Sequence, residues 1–133
     1  MTKTVGECMS SKLVYLAEGS RPSVAIEPML ELGLSAVPVL DDHHVPIGVI
    51  TLRELIDRRD GPPEMQFPVK TIGTRVSIAD AAKAMLEAGT HHLIVVDEHG
   101  AAVGMLSSLD LVRALTGAVP HHPEPVESFG KRG

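Results

Sequence analysis

Two hydroxyl–carboxylate pairs carry most of the chemistry in this chain: Ser107 with Asp110, and Thr51 with Glu54. In each, the acid lies three residues beyond the hydroxyl, where an apolar run gives way to a helical pattern. The plain use of that spacing is a helix cap. The hydroxyl accepts an amide of the first turn, and the acid reaches back to the cap amide. Glu is the usual capping-box acid, so Thr51/Glu54 reads first as structural. The histidines raise a second chemistry, metal binding, at His43-His44, His91-His92, His99 and His121-His122. Neighbouring strand residues point to opposite faces, so His91 and His92 do not chelate one ion together. There is no His-x3-His and no cysteine pair, and no metal site is expected. Cys8 has no motif-supplied base and reads as packing. Without a nucleophile–base pair, a metal motif or a glycine-rich phosphate loop, an enzyme is not expected.

The two pairs occupy equivalent positions of an internal repeat. GVITLREL at 48–55 falls on GMLSSLDL at 104–111, an offset of 56 residues from Gly48 to Gly104. The same offset places MLE at 29–31 on MLE at 85–87, Gly33 on Gly89 and Asp41 on Asp97. Self-similarity at a fixed period decides the architecture. A first motif is expected over residues 4–59 and a second over 69–117, with a linker over 60–68. The Pro-rich, non-periodic stretch over 118–133 reads as a disordered tail.

The elements that must position these residues follow from periodicity. A short helix is expected over 4–9 and a strand over 13–16. Pro22 suits a first helical turn, and Ala25, Ile26, Met29 and Leu30 keep helical spacing up to the stop at Gly33. Pro28 lies inside that helix and should kink it. Residues 36–40 and 45–50 read as buried strands around a polar turn, and 52–59 as a second helix. The second motif repeats the plan: a strand over 69–72, a helix capped by Ser77 and stopped at Gly89, strands over 92–96 and 101–106, and a helix over 109–115. The turns at Asp41-Asp42 and Asp97-Glu98 read as solvated, as do Arg53, Arg58 and Arg59. Each unit is thus β-α-β-β-α in an α/β (α+β) fold. A unit of this kind cannot cover its own sheet, so the two are expected to pack sheet to sheet across a pseudo-twofold.

The chain has 133 residues, 44% of them apolar, enough for one compact domain of two lobes. Its core must be aliphatic, since Tyr15, Phe67 and Phe129 are the only aromatics. A net charge of −5 leaves no basic stripe for nucleic acid. One cysteine excludes an internal disulfide and suits a reducing compartment. With no readable signal peptide and no apolar run of bilayer length, a cytoplasmic protein without membrane insertion is expected.

The repeated series, a helix ending M-L-E-x-G, then A-V-P-V-x-D, then G-V-I-T-x-x-(D/E)-L, resembles the cystathionine β-synthase (CBS) domain. Two copies in register, over roughly residues 4–115, resemble a tandem CBS pair, or Bateman module. That resemblance implies clefts that bind adenosine-containing ligands and regulate a partner enzyme or transporter. AMP, ADP or ATP come first among the implied ligands, with S-adenosylmethionine or NADH behind them, and no cofactor is required. The resemblance implies that Asp110 reads the ribose diol and that Ser107, with amides of the following helix, faces phosphate. Tyr15, Leu16, Ala36, Val37 and Pro38 would hold the base of that ligand. Lys12 and Arg21 are the nearest candidate cations. A second, weaker cleft would use Thr51, Arg53 and Glu54 with Thr71, Ile72, His92, Leu93 and Ile94. There Glu54 is one methylene longer than the usual Asp, and His92 replaces the small Ala36. The resemblance also implies a homodimer. The alternative function is a dimerising adaptor whose clefts are vestigial.

Overall fold

The structure, a computed structural model, describes residues 3–58 and 61–117. The tail expected over 118–133, Arg59 and His121-His122 lie outside the described residues. In chain order the elements are α1 (Val5–Cys8), β1 (Leu16–Ala17), a 3-10 turn (Pro22–Ala25), α2 (Ile26–Leu32), β2 (Ala36–Leu40), β3 (Pro46–Thr51) and α3 (Leu52–Arg58). They continue as β4 (Thr71–Gly73), α4 (Ile78–Ala88), β5 (His92–Val96), β6 (Ala102–Ser107) and α5 (Ser108–Thr116). The strands form two three-stranded sheets, ordered β1-β2-β3 and β4-β5-β6.

The repeat holds down to hydrogen-bond register. Val39 pairs with Gly48 in one sheet and Val95 with Gly104 in the other, and each ladder shifts one residue later, at 39/40 and 95/96. β1 and β4 run parallel to the middle strands, with Leu16 opposite Val39 and Ile72 opposite Val95, whereas β3 and β6 are antiparallel to them. β1 is shorter than the strand expected over 13–16, because only Leu16 and Ala17 find ladder partners, while Leu13, Val14 and Tyr15 are buried outside the ladder. α2, α4 and α5 stop at glycines in the left-handed conformation, Gly33 (φ 68°), Gly89 (φ 64°) and Gly117 (φ 75°). The single kinked helix expected over 22–33 is two pieces. A 3-10 turn precedes α2, which places Pro28 in the first turn of α2, where an amide has no partner inside the helix.

The compact units do not follow the order of the repeats along the chain. One takes the residues up to Leu13 together with those from Lys70 on; the other is Val14–Val69. In the first, Val5 and Cys8 join Ile72, Ala81, Met85, Leu93, Val95, Leu106 and Leu111 in one aliphatic core. Burial pushes the Cys8 thiol up, as suits a packing residue. Ser10 and Met105 exchange backbone bonds of 2.9 and 3.0 Å at the edge of β6. In the second unit, Gln66 and Val49 exchange bonds of 2.8 and 3.1 Å at the edge of β3. Each edge is therefore covered by the segment that precedes the other repeat.

Candidate functional site

Ser107 ends β6 and caps α5, because β6 runs apolar up to a hydroxyl that can take the first-turn amide. Its Oγ accepts from the Asp110 amide at 3.2 Å, and its own amide donates to Asp110 Oδ2 at 2.8 Å. This is the full reciprocal cap that the spacing predicts. Arg113 Nη1 donates to Asp110 Oδ1 at 3.1 Å. Asp110 is only 5% exposed, the one buried charged side chain among the described residues. A carboxylate so placed is costly unless charge-assisted bonds offset its desolvation, and the Arg113 guanidinium supplies one. The Ser108 amide donates to the His91 carbonyl at 2.9 Å. Of the amides expected at this end to face a phosphate, those of Ser107, Ser108 and Asp110 already have acceptors within the chain.

The equivalent corner of the first repeat differs. Thr51 Oγ1 accepts from the Glu54 amide at 3.1 Å, but the Glu54 carboxylate turns away from the cap. Its Oε2 accepts from the Glu64 amide at 2.8 Å and from Arg58 Nε at 2.8 Å. The expected capping box is half formed, because the extra methylene carries the acid out to the returning 61–66 segment. Arg58, exposed as the sequence suggests, is also an ion-pair partner of Glu54. Both partners are partly exposed, so the pair adds little stability.

The remaining candidates divide between the two units. Lys12, Thr71, His92, Leu93 and Ile94 belong with Ser107 and Asp110; Tyr15, Leu16, Arg21, Ala36, Val37, Pro38, Thr51, Arg53 and Glu54 belong to the other. Thr71 and His92 are exposed, and Leu93 and Ile94 are buried. Tyr15, Leu16, Val37 and Pro38 are buried, and the Tyr15 ring lies 5.6 Å from that of His44. Thr51 and Arg53 share with Ser35, Ala36, Ile56 and Asp57 an open cavity of about 620 Å³. Ala36 sits opposite Thr51 in the β2–β3 ladder, as His92 sits opposite Ser107 in β5–β6. The structure thus brings Ala36 together with Thr51 and Arg53, residues that the sequence placed in different clefts. Arg113 and Glu64 were missed as partners of the two acids. The i,i+3 and i,i+4 spacings of acid and arginine, Asp110–Arg113 and Glu54–Arg58, were the signal that could have found both arginines.

The polar turns also do more than face solvent. Asp41 Oδ1 accepts from the amides of His43 (2.8 Å) and Val45 (2.9 Å), and Asp97 Oδ1 from those of His99 (2.8 Å) and Ala101 (3.0 Å). Among the described residues no group of three His, Cys, Asp or Glu side chains is placed to hold a metal ion, and no helix is long and apolar enough to cross a membrane.

The CBS domain family model matches residues 5–61 and 65–117, and the chain belongs to that family as a tandem pair. An uncharacterised protein of Methanopyrus kandleri is 27% identical over 124 residues, which cover 84% of this chain and 63% of that protein. The chain thus spans less than two thirds of that relative's own length. Among solved structures, CBSX2 in complex with AMP matches with a TM-score of 0.72 and 26% identity, over 86% of this chain and 97% of that one. A CBS domain pair in complex with 5′-methylthioadenosine and S-adenosyl-L-methionine matches with a TM-score of 0.71 over 88% of this chain and 98% of that one. At 20% identity the latter is a likeness of fold.

Proposed function

We propose that the chain is a regulatory module that binds an adenosine-containing ligand and so modulates a partner enzyme or transporter. One observation carries the reading: Asp110, the residue to which the resemblance gives the ribose, is a buried, arginine-paired carboxylate. Within the described residues each of its oxygens accepts one bond, and a carboxylate oxygen has two lone-pair directions. The second directions suit the two hydroxyls of a ribose cis-diol. The match to CBSX2 with AMP supports an adenine nucleotide, with AMP, ADP or ATP ahead of S-adenosylmethionine or NADH. Ser107 and Lys12 are assigned to the same ligand. The assignment of Tyr15, Leu16, Ala36, Val37 and Pro38 to its base rests on the resemblance alone. Thr51, Arg53 and Glu54 are assigned to a weaker function, because Glu54 is engaged by Arg58 and the Glu64 amide.

A second reading is a dimerising adaptor that takes no ligand. It is favoured by the completeness of the Ser107–Asp110–Arg113 bonding, which a helix cap alone explains. Calorimetric titration with AMP, ADP, ATP, NADH and S-adenosylmethionine separates the two. Saturable binding of one of them, lost in a folded Asp110→Asn variant, supports the sensor. Absence of binding by all five supports the adaptor.

A further inference from the structure

Arg113 is the one cation paired with Asp110 among the described residues, and the pairing leaves most of its donors unused. Nη1 donates to Asp110 Oδ1 at 3.1 Å, which accounts for one of the five N–H groups of the guanidinium. The Arg113 side chain is 36% exposed, against 5% for Asp110. One end of the ion pair is therefore sealed and the other is open to solvent. A guanidinium anchored to a carboxylate through one Nη1 bond keeps its Nη2 and Nε donors for a second anion. The amides of Ser107, Ser108 and Asp110 already have acceptors, and the Arg113 guanidinium is a charged donor at this corner.

We infer that Arg113 determines specificity at this corner: it holds the diol-reading carboxylate and presents its remaining donors to a phosphate of the same ligand. The preferred class is then a nucleoside phosphate over the bare nucleoside. The inference rests on the reading of Asp110 as the ribose acceptor. In the first repeat Asp57 stands at the position matching Arg113, and Arg58 points its Nε at Glu54 and its Nη2 toward Glu64, 3.8 Å away.

The test is calorimetric titration of AMP and of adenosine into the parent chain and into Arg113→Ala, Arg113→Lys and Asp110→Asn, each checked for a cooperative melt. The parent should prefer AMP to adenosine by about tenfold or more, the scale of one charge-assisted contact. Arg113→Ala should lose that preference, its affinity for AMP falling by more than its affinity for adenosine, and Arg113→Lys should recover part of it. Equal losses for AMP and adenosine in Arg113→Ala would make Arg113 a mere support of Asp110 and overturn the inference alone. An unchanged AMP affinity in Arg113→Ala would also overturn it. If neither compound binds the parent, or Asp110→Asn binds both as well as the parent does, the underlying reading fails and the inference with it.

Discussion

Asp41 and Asp97 brace matching turns with single carboxylate oxygens, and Asp41 shows what such bracing does to titration. Its carboxyl is held below the ordinary range first by the Val45 amide, then by the His43 amide and the nearby His43 and His44 rings; partial burial pulls the other way. A carboxyl depressed in the folded state contributes stability above its unfolded pKa of about 3.9 and loses it as pH falls through the lower folded value. Asp41→Asn keeps an acceptor but does not titrate. The parent's melting temperature should therefore fall more steeply than the variant's between about pH 5 and pH 3, and parallel curves would refute the assignment. Asp110→Asn unpairs Arg113 and weakens the cap of α5, at about 1–2 kcal/mol in denaturant melts. The hydroxyl–acid pairs themselves were legible in the sequence because a cap is a local pattern. The fate of Glu54 was not, since its acceptor role is set by the Glu64 amide, ten residues away in sequence.

At the scale of elements, the glycine that opens each GVIT/GMLS motif has a packing reason. A Cβ at Gly104 would lie 2.5 Å from the Ser10 carbonyl oxygen, and a Cβ at Gly48 would lie 2.8 Å from the Met65 sulfur. Backbone cannot yield as a thioether can. Gly104→Ala should cost about 2–3 kcal/mol and speed exchange of the Ser10 and Met105 amides, whereas Gly48→Ala should cost clearly less. Equal costs would contradict the packing account. Leu106 is fully buried on β6, and Leu106→Ala should cost about 2–5 kcal/mol by chemical denaturation. Strand and helix types were readable from periodicity and from the stops at Gly33 and Gly89. The covering of each sheet edge was not, because a repeat alignment reports chain order while Ser10–Met105 and Gln66–Val49 are long-range pairings. Pro28 misled for a related reason. Helical spacing does not tell a 3-10 turn from an α-helix over four residues.

At the scale of the molecule, the repeat and its family were legible from the sequence, since the 56-residue offset is kept in strand register and in both ladder shifts. On the helices that precede the middle strands, Met29 and Met85 are buried, while Leu30 and Leu86 are 59% and 83% exposed. Leu109, Val112 and Leu115 on α5 are exposed as well, which leaves apolar surface open to water. We propose that a second copy covers it. Light scattering should give the mass of a dimer, and Leu86→Glu combined with Leu115→Glu should return a monomer; a monomeric parent at about 100 μM would sink the proposal.

The central claim is that Asp110 holds a ligand as well as a helix end. Titration of AMP into the parent chain and into folded Asp110→Asn tests it most directly. The account predicts saturable binding by the parent that falls at least about tenfold in the variant, the loss expected when a charge-assisted acceptor is removed. Equal binding by both, or none by either, would contradict it and leave Ser107 and Asp110 as the cap of α5.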